Sequence, residues 1–366
     1  MKPFDIIDVK IYGESHSAEI GGILSGVPAG ETFDTERVKD FAARRKSGKY
    51  LFSTPRREDD EAVWEGCTPL DNGIMRTDGI IRARIFNRNV RPSDYSYALA
   101  PRPSHADYCA FVKDGANAAK SGGGRFSGRM TAPLVALGGV AKQLLEKRGI
   151  RVAAYIGELA GVKGKSYRDG VPSYEEAVAC LDYPLPMLAS VEEAAKKAKA
   201  AVERGDSVGG VVECVIYGVP AGLGDALFDG LESKISSVVF AIPAVKGVEF
   251  GAGFALADMT GSTANDPFAV RDGKVVTLTN NAGGINGGIT NGMPVTFRAV
   301  FRPTPSIALP QKTVNLADMT ETEITVKGRH DATVVPRAVA AVEAAAALAV
   351  LDEVLLDESE KQNQPK

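Results

Sequence analysis

The chain has 366 residues, of which 44% are hydrophobic and 24% are charged, and this composition is typical of a folded globular protein. Its formal net charge of −3 excludes the strongly basic surface that recruits nucleic acid, so we expect no nucleic-acid partner. The four cysteines form no C-x-x-C pair and no H-E-x-x-H is present, which argues against both a metal site and a disulfide framework.

The first half of the chain predicts two strands and two helices. A helix at 35–46 begins after Asp34, whose short polar side chain is a good N-cap. A second helix at 131–148 follows a glycine-rich segment and stops at Gly149. The predicted strands occupy residues 5–12 and 79–86, and an arginine-rich loop is expected at 47–60.

The second half predicts a helix at 190–204, where Ser190 and Glu193 have the spacing of a capping box. A helix at 336–355 must be largely buried, because residues 338–351 carry a single charge, Glu343. The remaining predicted elements are a strand at 208–217 and a flexible polar tail at 358–366.

Two features concern targeting. The most apolar segment, 338–351, is too short to span a bilayer, and the N-terminus lacks the apolar stretch of a signal peptide. We therefore expect a cytoplasmic protein with no membrane partner.

A weak internal repeat suggests two related halves. Residues 20–30 contain a glycine pair followed by Gly-Val-Pro-Ala-Gly, and 208–222 repeat this order. A second pair of similar segments lies at 79–86 and 292–301. A good turn after a strand would also explain the pentapeptide. Strands and helices occur in clusters, which favours an α+β fold, and we predict a single domain at 1–357.

The histidines and arginines indicate where chemistry takes place. Each of the three histidines lies in a loop rich in Ser, Asp or Arg, where imidazole can exchange protons near neutral pH. These candidate proton carriers are His16, His105 and His330. Of the 22 arginines, 14 lie in the first 150 residues. Guanidinium groups bind phosphate and carboxylate well, so we expect a pocket for an anionic ligand.

Two other classes of site fit poorly. The segment around Ser15 misses the Gly-x-Ser-x-Gly of a serine hydrolase at its last residue, Ser17. Segment 251–253 lacks the third glycine of a dinucleotide-binding loop, and no P-loop is present. Two glycine-rich segments, 122–128 and 281–292, remain as candidates for binding an anion through backbone N–H groups.

Taken together, these segments resemble the chorismate synthase family along almost the whole chain. The motifs that carry the resemblance occur in this order: Gly13-Glu14-Ser15-His16, Arg56-Arg57-Glu58, Arg102-Pro103-Ser104-His105-Ala106-Asp107, Ala244-Val245-Lys246-Gly247-Val248-Glu249, segment 281–292, Arg302-Pro303-Thr304-Pro305-Ser306, Gly328-Arg329-His330-Asp331 and Pro336-Arg337-Ala338-Val339.

The resemblance implies a β-α-β sandwich, in which antiparallel sheets enclose a helical layer, assembled as a homotetramer. It implies a lyase that removes phosphate from 5-enolpyruvylshikimate 3-phosphate by 1,4-elimination to give chorismate, the last step of the shikimate pathway. The reaction needs reduced FMN without net redox change, because the hydrogen lost from the ring is not acidic and an electron lent by the flavin helps to expel phosphate. NADPH or an external reductant would reduce the flavin.

The family's roles fall on matching residues of this chain. His16 would protonate the departing phosphate, His105 would lie against the flavin, and Asp331, with Ser15 and Ser127, would control a flavin proton. The implied substrate-binding residues are Arg45, Arg102, Arg129 and Arg337. The implied flavin contacts are Arg125, Phe126, Ser127, Pro243, Ala244, Gly287, Arg302, Pro303, Thr304, Pro305, Ser306 and Arg329.

Several positions depart from the family pattern. Glycine is usual at Ser17 and Ser104, an acidic residue at Met130, serine at Phe126, asparagine at Pro243 and arginine at Leu51. These departures leave an alternative open, namely a catalytically inactive relative of the same fold that binds flavin or phosphate.

Overall fold

In the computed structural model of the chain, residues 3–46, 60–87, 99–115, 123–179, 190–326 and 331–363 are described. The strands are β1 (Asp8–Gly13), β2 (Glu19–Ser25), β3 (Thr32–Asp34), β4 (Ala62–Pro69), β5 (Ile74–Phe86), β6 (Arg151–Leu159), β7 (Val162–Lys163), β8 (Gly210–Tyr217), β9 (Val245–Phe250), β10 (Phe268–Arg271), β11 (Lys274–Thr277), β12 (Ile285–Asn286), β13 (Ile289–Thr290), β14 (Val295–Phe301), β15 (Gln311–Asn315) and β16 (Thr320–Ile324). The α-helices are α1 (Thr35–Ala43), α2 (Asp107–Asp114), α3 (Thr131–Glu146), α4 (Tyr174–Val178), α5 (Val191–Glu203), α6 (Leu231–Phe240), α7 (Gly261–Ala264) and α8 (Val335–Asn363).

Two five-stranded sheets enclose a layer of helices. The first sheet has the order β1-β2-β5, with β4 on the far edge of β5 and β3 beside the start of β5. The second has the order β7-β6-β8-β14-β9. Helix α3 packs on the first sheet, and α8 packs on the second. Every strand pairing within the described residues is antiparallel, so the predicted α+β sandwich is confirmed.

The two halves share one strand order. The first pair of similar segments lies in β2 and β8, and the second lies in β5 and β14. β2 pairs with β5 as β8 pairs with β14, and the flanking strands β1 and β4 match β6 and β9. The internal repeat in the sequence therefore corresponds to a repeated arrangement of strands.

Local sequence signals predicted the first residues of the helices more accurately than their last residues. The side chain of Asp34 accepts the Glu36 N–H at 2.8 Å and so caps α1, as predicted. Ser190 accepts the Glu193 N–H, but the Glu193 carboxylate pairs with Lys197 instead of completing a capping box. Helix α8 continues well past residue 355, into the segment predicted as a tail. The domain boundary at 357 and the flexibility of that tail stay predictions.

The central helices α3 and α8 are buried on nearly all sides and run parallel. Gly138 faces Ala344, and Arg148, just after the end of α3, pairs with Glu358 further along α8 at 2.7 Å. Both helices therefore begin at the same end of the molecule. No helix of the described residues is long and apolar enough to cross a membrane.

A buried carboxylate connects the helical layer to the second sheet. Glu343 of α8 is completely buried and accepts hydrogen bonds from Arg44 at 2.9 Å, from Lys142 and from the Ala154 N–H at 3.2 Å. These partners lie at the end of α1, in α3 and in β6. The single charge in the apolar stretch of α8 is thus fully paired, as a buried ion must be.

We expect Gly138→Ala to destabilise the fold. A Cβ at residue 138 would stand only 2.2 Å from the Cβ of Ala344, so one of the two helices must move. Overpacking of this kind costs about 1–3 kcal/mol, which exceeds the gain of up to about 1 kcal/mol in helix propensity. Denaturant unfolding should show a lower free energy of unfolding. Gly261→Ala, where a Cβ meets no atom within 4 Å, is the control, and an equal effect in both variants would contradict the close-packing argument.

Candidate active site

The predicted site residues gather where α3 and α8 begin. The guanidinium of Arg45 donates from Nε to Thr131 Oγ1 at 2.8 Å, at the first residue of α3. Arg337, in the first turn of α8, donates from Nε to the Arg45 carbonyl at 3.2 Å. Two helix N-termini thus meet in an arginine cluster, and both favour a bound anion.

Asp60 is the counter-ion of this cluster. Its two carboxylate oxygens accept separately from Arg45, at 2.5 Å, and from Arg129. All three side chains are buried. Burial alone would raise the pKa of Asp60, but Arg45, Arg129 and the nearby Arg337 outweigh it and hold the pKa below its ordinary value. Asp60 is therefore an anion that fixes the two guanidinium groups relative to each other.

The loop that carries Ser15 and His16 is joined to the cluster through Asn87. Arg129 donates from Nε to Asn87 Oδ1 at 3.0 Å, and Asn87 Nδ2 donates to the Ser17 carbonyl at 2.8 Å. Ser15 Oγ lies 3.3 Å from His16 Nδ1, and the Ser15 N–H donates to the Gly124 carbonyl. The loop is thus held against the turn that precedes α3.

Arg102, His105 and Asp107 form a second charged group. Asp107 accepts from Arg102 Nε at 2.7 Å and from Nη2 at 2.8 Å, and His105 Nδ1 lies 2.5 Å from Asp107 Oδ1. Burial would raise the pKa of Asp107, but the hydrogen bonds from Arg102 and His105 hold it far below its ordinary value. The backbone at Ser104 has φ +59°, a left-handed conformation that favours glycine.

A continuous chain of contacts joins the two groups. Arg102 Nη1 donates to Ser306 Oγ at 3.1 Å, and Thr304 in the same loop donates to the Asp331 carbonyl at 2.9 Å. The Asp331 carboxylate in turn accepts from Arg337 Nη1 at 2.6 Å. The structure therefore brings two of the predicted histidines, His16 and His105, into one region with the predicted arginines and Asp331.

Several predicted flavin contacts border this region. The Arg302 N–H donates to the Ala244 carbonyl, which places the turn at Pro243 beside the loop 302–306. Arg125 lies over the ring of Phe126, 4.9 Å from its centroid, and both side chains are exposed. Within the described part of the chain, the half-buried Arg302 guanidinium makes no hydrogen bond to protein. A cation and an aromatic face at the border suit a planar ligand that carries phosphate.

Two predicted contacts are not placed with the others. Gly287 lies in the turn between β12 and β13, beyond the start of β14, whereas Arg302 follows the end of β14. The length of a strand therefore separates them within one chain. Arg329 lies outside the described residues, as do His330, Leu51 and the motif Arg56-Arg57-Glu58.

Sequence reasoning missed the side chains that organise the arginines. Asp60, Asn87 and Thr131 were not proposed as site residues, and Asp107 was only noted as part of a motif. Asp107 had a local signal, since it stands two residues after a histidine. Asp60 and Asn87 had none, because Asp60 pairs with Arg45 and Arg129, 15 and 69 residues away, and Asn87 pairs with Arg129, 42 residues away.

Comparison with known proteins is consistent with this geometry. A family model described as chorismate synthase matches residues 7–355. A chorismate synthase of Dehalococcoides mccartyi is 41% identical over 354 residues, which cover 95% of this chain and 94% of that protein. One from Thermococcus gammatolerans is 44% identical over 351 residues, or 96% of each chain. A crystal structure of a chorismate synthase matches with a TM-score of 0.72 and 26% identity, covering 97% of this chain and 93% of that one.

We expect Asp60→Asn to destabilise the protein by about 3–5 kcal/mol at neutral pH, since it removes one partner of a buried ion pair. The pKa of Asp60 is lower in the folded state, so its contribution is present above the unfolded value of about 3.9 and is lost as pH falls through the folded value. The difference between wild type and variant in free energy of unfolding should therefore shrink below about pH 4. Asp8→Asn, in an exposed pair with Lys10, is the control. A small or pH-independent difference for Asp60→Asn would contradict the counter-ion role.

We expect Ser104→Gly to stabilise the protein by about 0.5–1 kcal/mol. Removing the strain of a left-handed non-glycine residue raises the free energy of unfolding by about 1–2 kcal/mol. The greater conformational freedom of glycine in the unfolded chain lowers it by about 0.4–1 kcal/mol. Thermal or denaturant unfolding measures the difference. Ser237→Gly, at an exposed position inside α6, should have the opposite sign because glycine disfavours helix. Equal signs would show that the conformation at residue 104 is not strained.

Proposed function

We propose, since the chain belongs to the chorismate synthase family, that it removes phosphate from 5-enolpyruvylshikimate 3-phosphate by 1,4-elimination to give chorismate. This reaction would make the protein a carbon–oxygen lyase acting on phosphates. The observation that carries the proposal is the convergence of two helix N-termini with the cluster formed by Arg45, Arg129 and Arg337. The substrate bears a phosphate and two carboxylates, and such a cluster is suited to binding them.

The arginines are positioned before any ligand arrives. Arg45 donates from all three nitrogens to protein acceptors, so its main contribution here is to hold the start of α3 and Asp60 in place. Arg129 and Arg337 each form an ion pair with a carboxylate of the protein, Asp60 and Asp331 respectively. Contact of these two arginines with the substrate stays a prediction. Preorganised charge of this kind avoids reorganisation when the phosphate leaves.

The residues that we propose as proton carriers, His16 on one side and His105 with Asp331 on the other, flank the arginine cluster. We propose that His16 protonates the departing phosphate, with Ser15 orienting its ring through the contact to Nδ1. His105 and Asp331 lie on the other side, next to the loop 302–306. Ser127 caps the turn before α3 by accepting the Arg129 N–H at 3.2 Å, and we propose that it helps Asp331 to control a flavin proton.

The border residues fit a reduced flavin. The half-buried guanidinium of Arg302 and the exposed pair Arg125 and Phe126 would hold the phosphate and the ring system of FMN. The chemistry that reduced FMN would supply here is the transient loan of an electron, which would assist loss of the allylic phosphate without net redox change. The chain's own part is to bind the substrate, exclude water and hold protons at His16 and His105.

Further proposals concern partners and assembly. We propose that NADPH or an external reductant reduces the flavin, that the chain acts in the cytoplasm, and that it forms a homotetramer. Large apolar side chains on the hairpin of β10 and β11 support assembly, because Phe268, Val270 and Val275 are all highly exposed. A contact of Gly287 with flavin stays a prediction, since Gly287 and Arg302 lie at opposite ends of β14 within one chain.

Anaerobic turnover tests the function. Purified protein is mixed with 5-enolpyruvylshikimate 3-phosphate and chemically reduced FMN, and chorismate absorbance and phosphate release are followed together. We expect equal amounts of both products, only with reduced flavin. Flavin binding without product would instead support the inactive relative that binds flavin or phosphate.

Variants in the same assay test the roles of the residues. His105→Ala and Asp331→Ala should lower kcat by about 10²–10⁴-fold, because positioned proton carriers contribute on that scale. Arg129→Ala should mainly raise KM, since it removes a charge-assisted contact to an anion. Arg204→Ala, an exposed arginine after α5, is the matched control. Wild-type kcat in both proton-carrier variants would refute the assignment.

A further inference from the structure

The contacts of His105 identify which ring nitrogen carries a proton. Nδ1 lies 2.5 Å from Asp107 Oδ1 and 3.1 Å from Arg102 Nη2. A nitrogen lone pair and an ionised oxygen repel each other at 2.5 Å unless a hydrogen lies between them. Arginine nitrogens only donate, so Arg102 supplies no reason for Nδ1 to be protonated. Nδ1–H therefore donates to Asp107.

Asp107 is held firmly enough to impose this choice. Its Oδ2 accepts from Arg102 Nε at 2.7 Å and from the Arg102 N–H at 3.1 Å, and its Oδ1 accepts from Nη2 at 2.8 Å. The side chain is buried and begins α2, where a negative charge is favourable. The carboxylate is therefore ionised and cannot turn away from His105 without losing three other hydrogen bonds.

We propose that Asp107 is a positioning residue for the reaction: it fixes His105 in the form protonated at Nδ1, so that Nε2 is the atom that exchanges a proton in the active site. The inference deepens the proposed function and rests on it, because the proposed function puts His105 beside the flavin. Asp107 acts through His105 and does not itself take up the proton.

The proton transfer that follows is simple. An imidazolium His105 gives its proton from Nε2 and becomes neutral imidazole with Nδ1–H still bonded to Asp107. Neutral His105 accepts a proton at Nε2 and returns to imidazolium, whose charge the Asp107 carboxylate stabilises. Without the carboxylate, Arg102 Nη2 at 3.1 Å would instead favour the form that is unprotonated at Nδ1, with the proton on Nε2.

The direct test is nitrogen NMR of ¹⁵N-histidine-labelled full-length protein over a pH series. The chain has only three histidines, so the signals of His105 are assigned by their loss in His105→Gln. We expect Nδ1 to keep its proton as the ring becomes neutral, while Nε2 loses its own. The opposite pattern in the wild-type protein, with the proton kept on Nε2, would overturn the proposal without any variant.

Variants distinguish the effect of Asp107 on the His105 proton from the effect of Arg102. In Asp107→Asn the neutral ring should shift to the form protonated at Nε2, and kcat should fall by at least about 10-fold with little change in KM. Arg102→Gln removes the guanidinium but keeps the carboxylate, so the proton should stay on Nδ1. Asp107→Glu, which keeps a carboxylate, should retain Nδ1–H at least partly. Asp40→Asn, exposed on α1, is the control for both measurements.

The outcomes also separate this inference from the function on which it rests. If the proton of neutral His105 stays on Nδ1 in a folded Asp107→Asn variant, the positioning role is refuted, whatever the value of kcat. If wild-type protein makes no chorismate with reduced FMN but shows Nδ1–H that depends on Asp107, the proposed function fails and the assignment of the His105 proton stands.

Discussion

The parallel packing of α3 and α8 is the constraint on which the rest of the structure depends. Two parallel helices side by side place their partial positive charges at the same end, an arrangement that repels unless negative charge is nearby. Gly138 lets the backbones approach closely against Ala344, and the two sheets cover the outer faces. The common N-terminal end is where anions are stabilised, and the arginine cluster and its carboxylates lie there. The location of the site therefore follows from the core.

Two buried carboxylates connect that core to the site through adjacent residues. Glu343 holds Arg44, and Asp60 holds Arg45, so the chain after α1 is fixed by carboxylates on both sides. A shift of α8 would move Glu343 and, through Arg44, the guanidinium of Arg45. Further along α8, Asp352 accepts the N–H groups of Ile6 and Ile7. Asp352, Asp5 and Glu353 form an acidic cluster, and Lys234 offsets part of its negative charge.

The sequence was most informative where the signal is local. Asp34 predicted the start of α1 because a cap acts within three residues, and the apolar stretch with its single charge, Glu343, predicted the burial of α8. The family motifs predicted most of the site. Asp60 was missed because neither of its partners, Arg45 and Arg129, lies within the few residues that a local motif spans. The separation of Gly287 from Arg302 was missed because the order of motifs does not tell at which end of a strand a turn lies. Such facts arise only from tertiary packing.

The departures from the family pattern that lie in the described residues spare the charged framework. Ser17 closes its loop by donating to the Glu14 carbonyl and accepting the Glu14 N–H, so it adds hydrogen bonds where glycine would have none. Ser104 costs backbone strain but leaves Arg102, His105 and Asp107 joined. In the described residues, four site arginines face three carboxylates, which leaves a net positive charge of one together with two helix N-termini. Binding of a substrate with a phosphate and two carboxylates would then depend on the directed donors of this framework more than on net charge. Among the described residues, none of the altered positions supplies those donors.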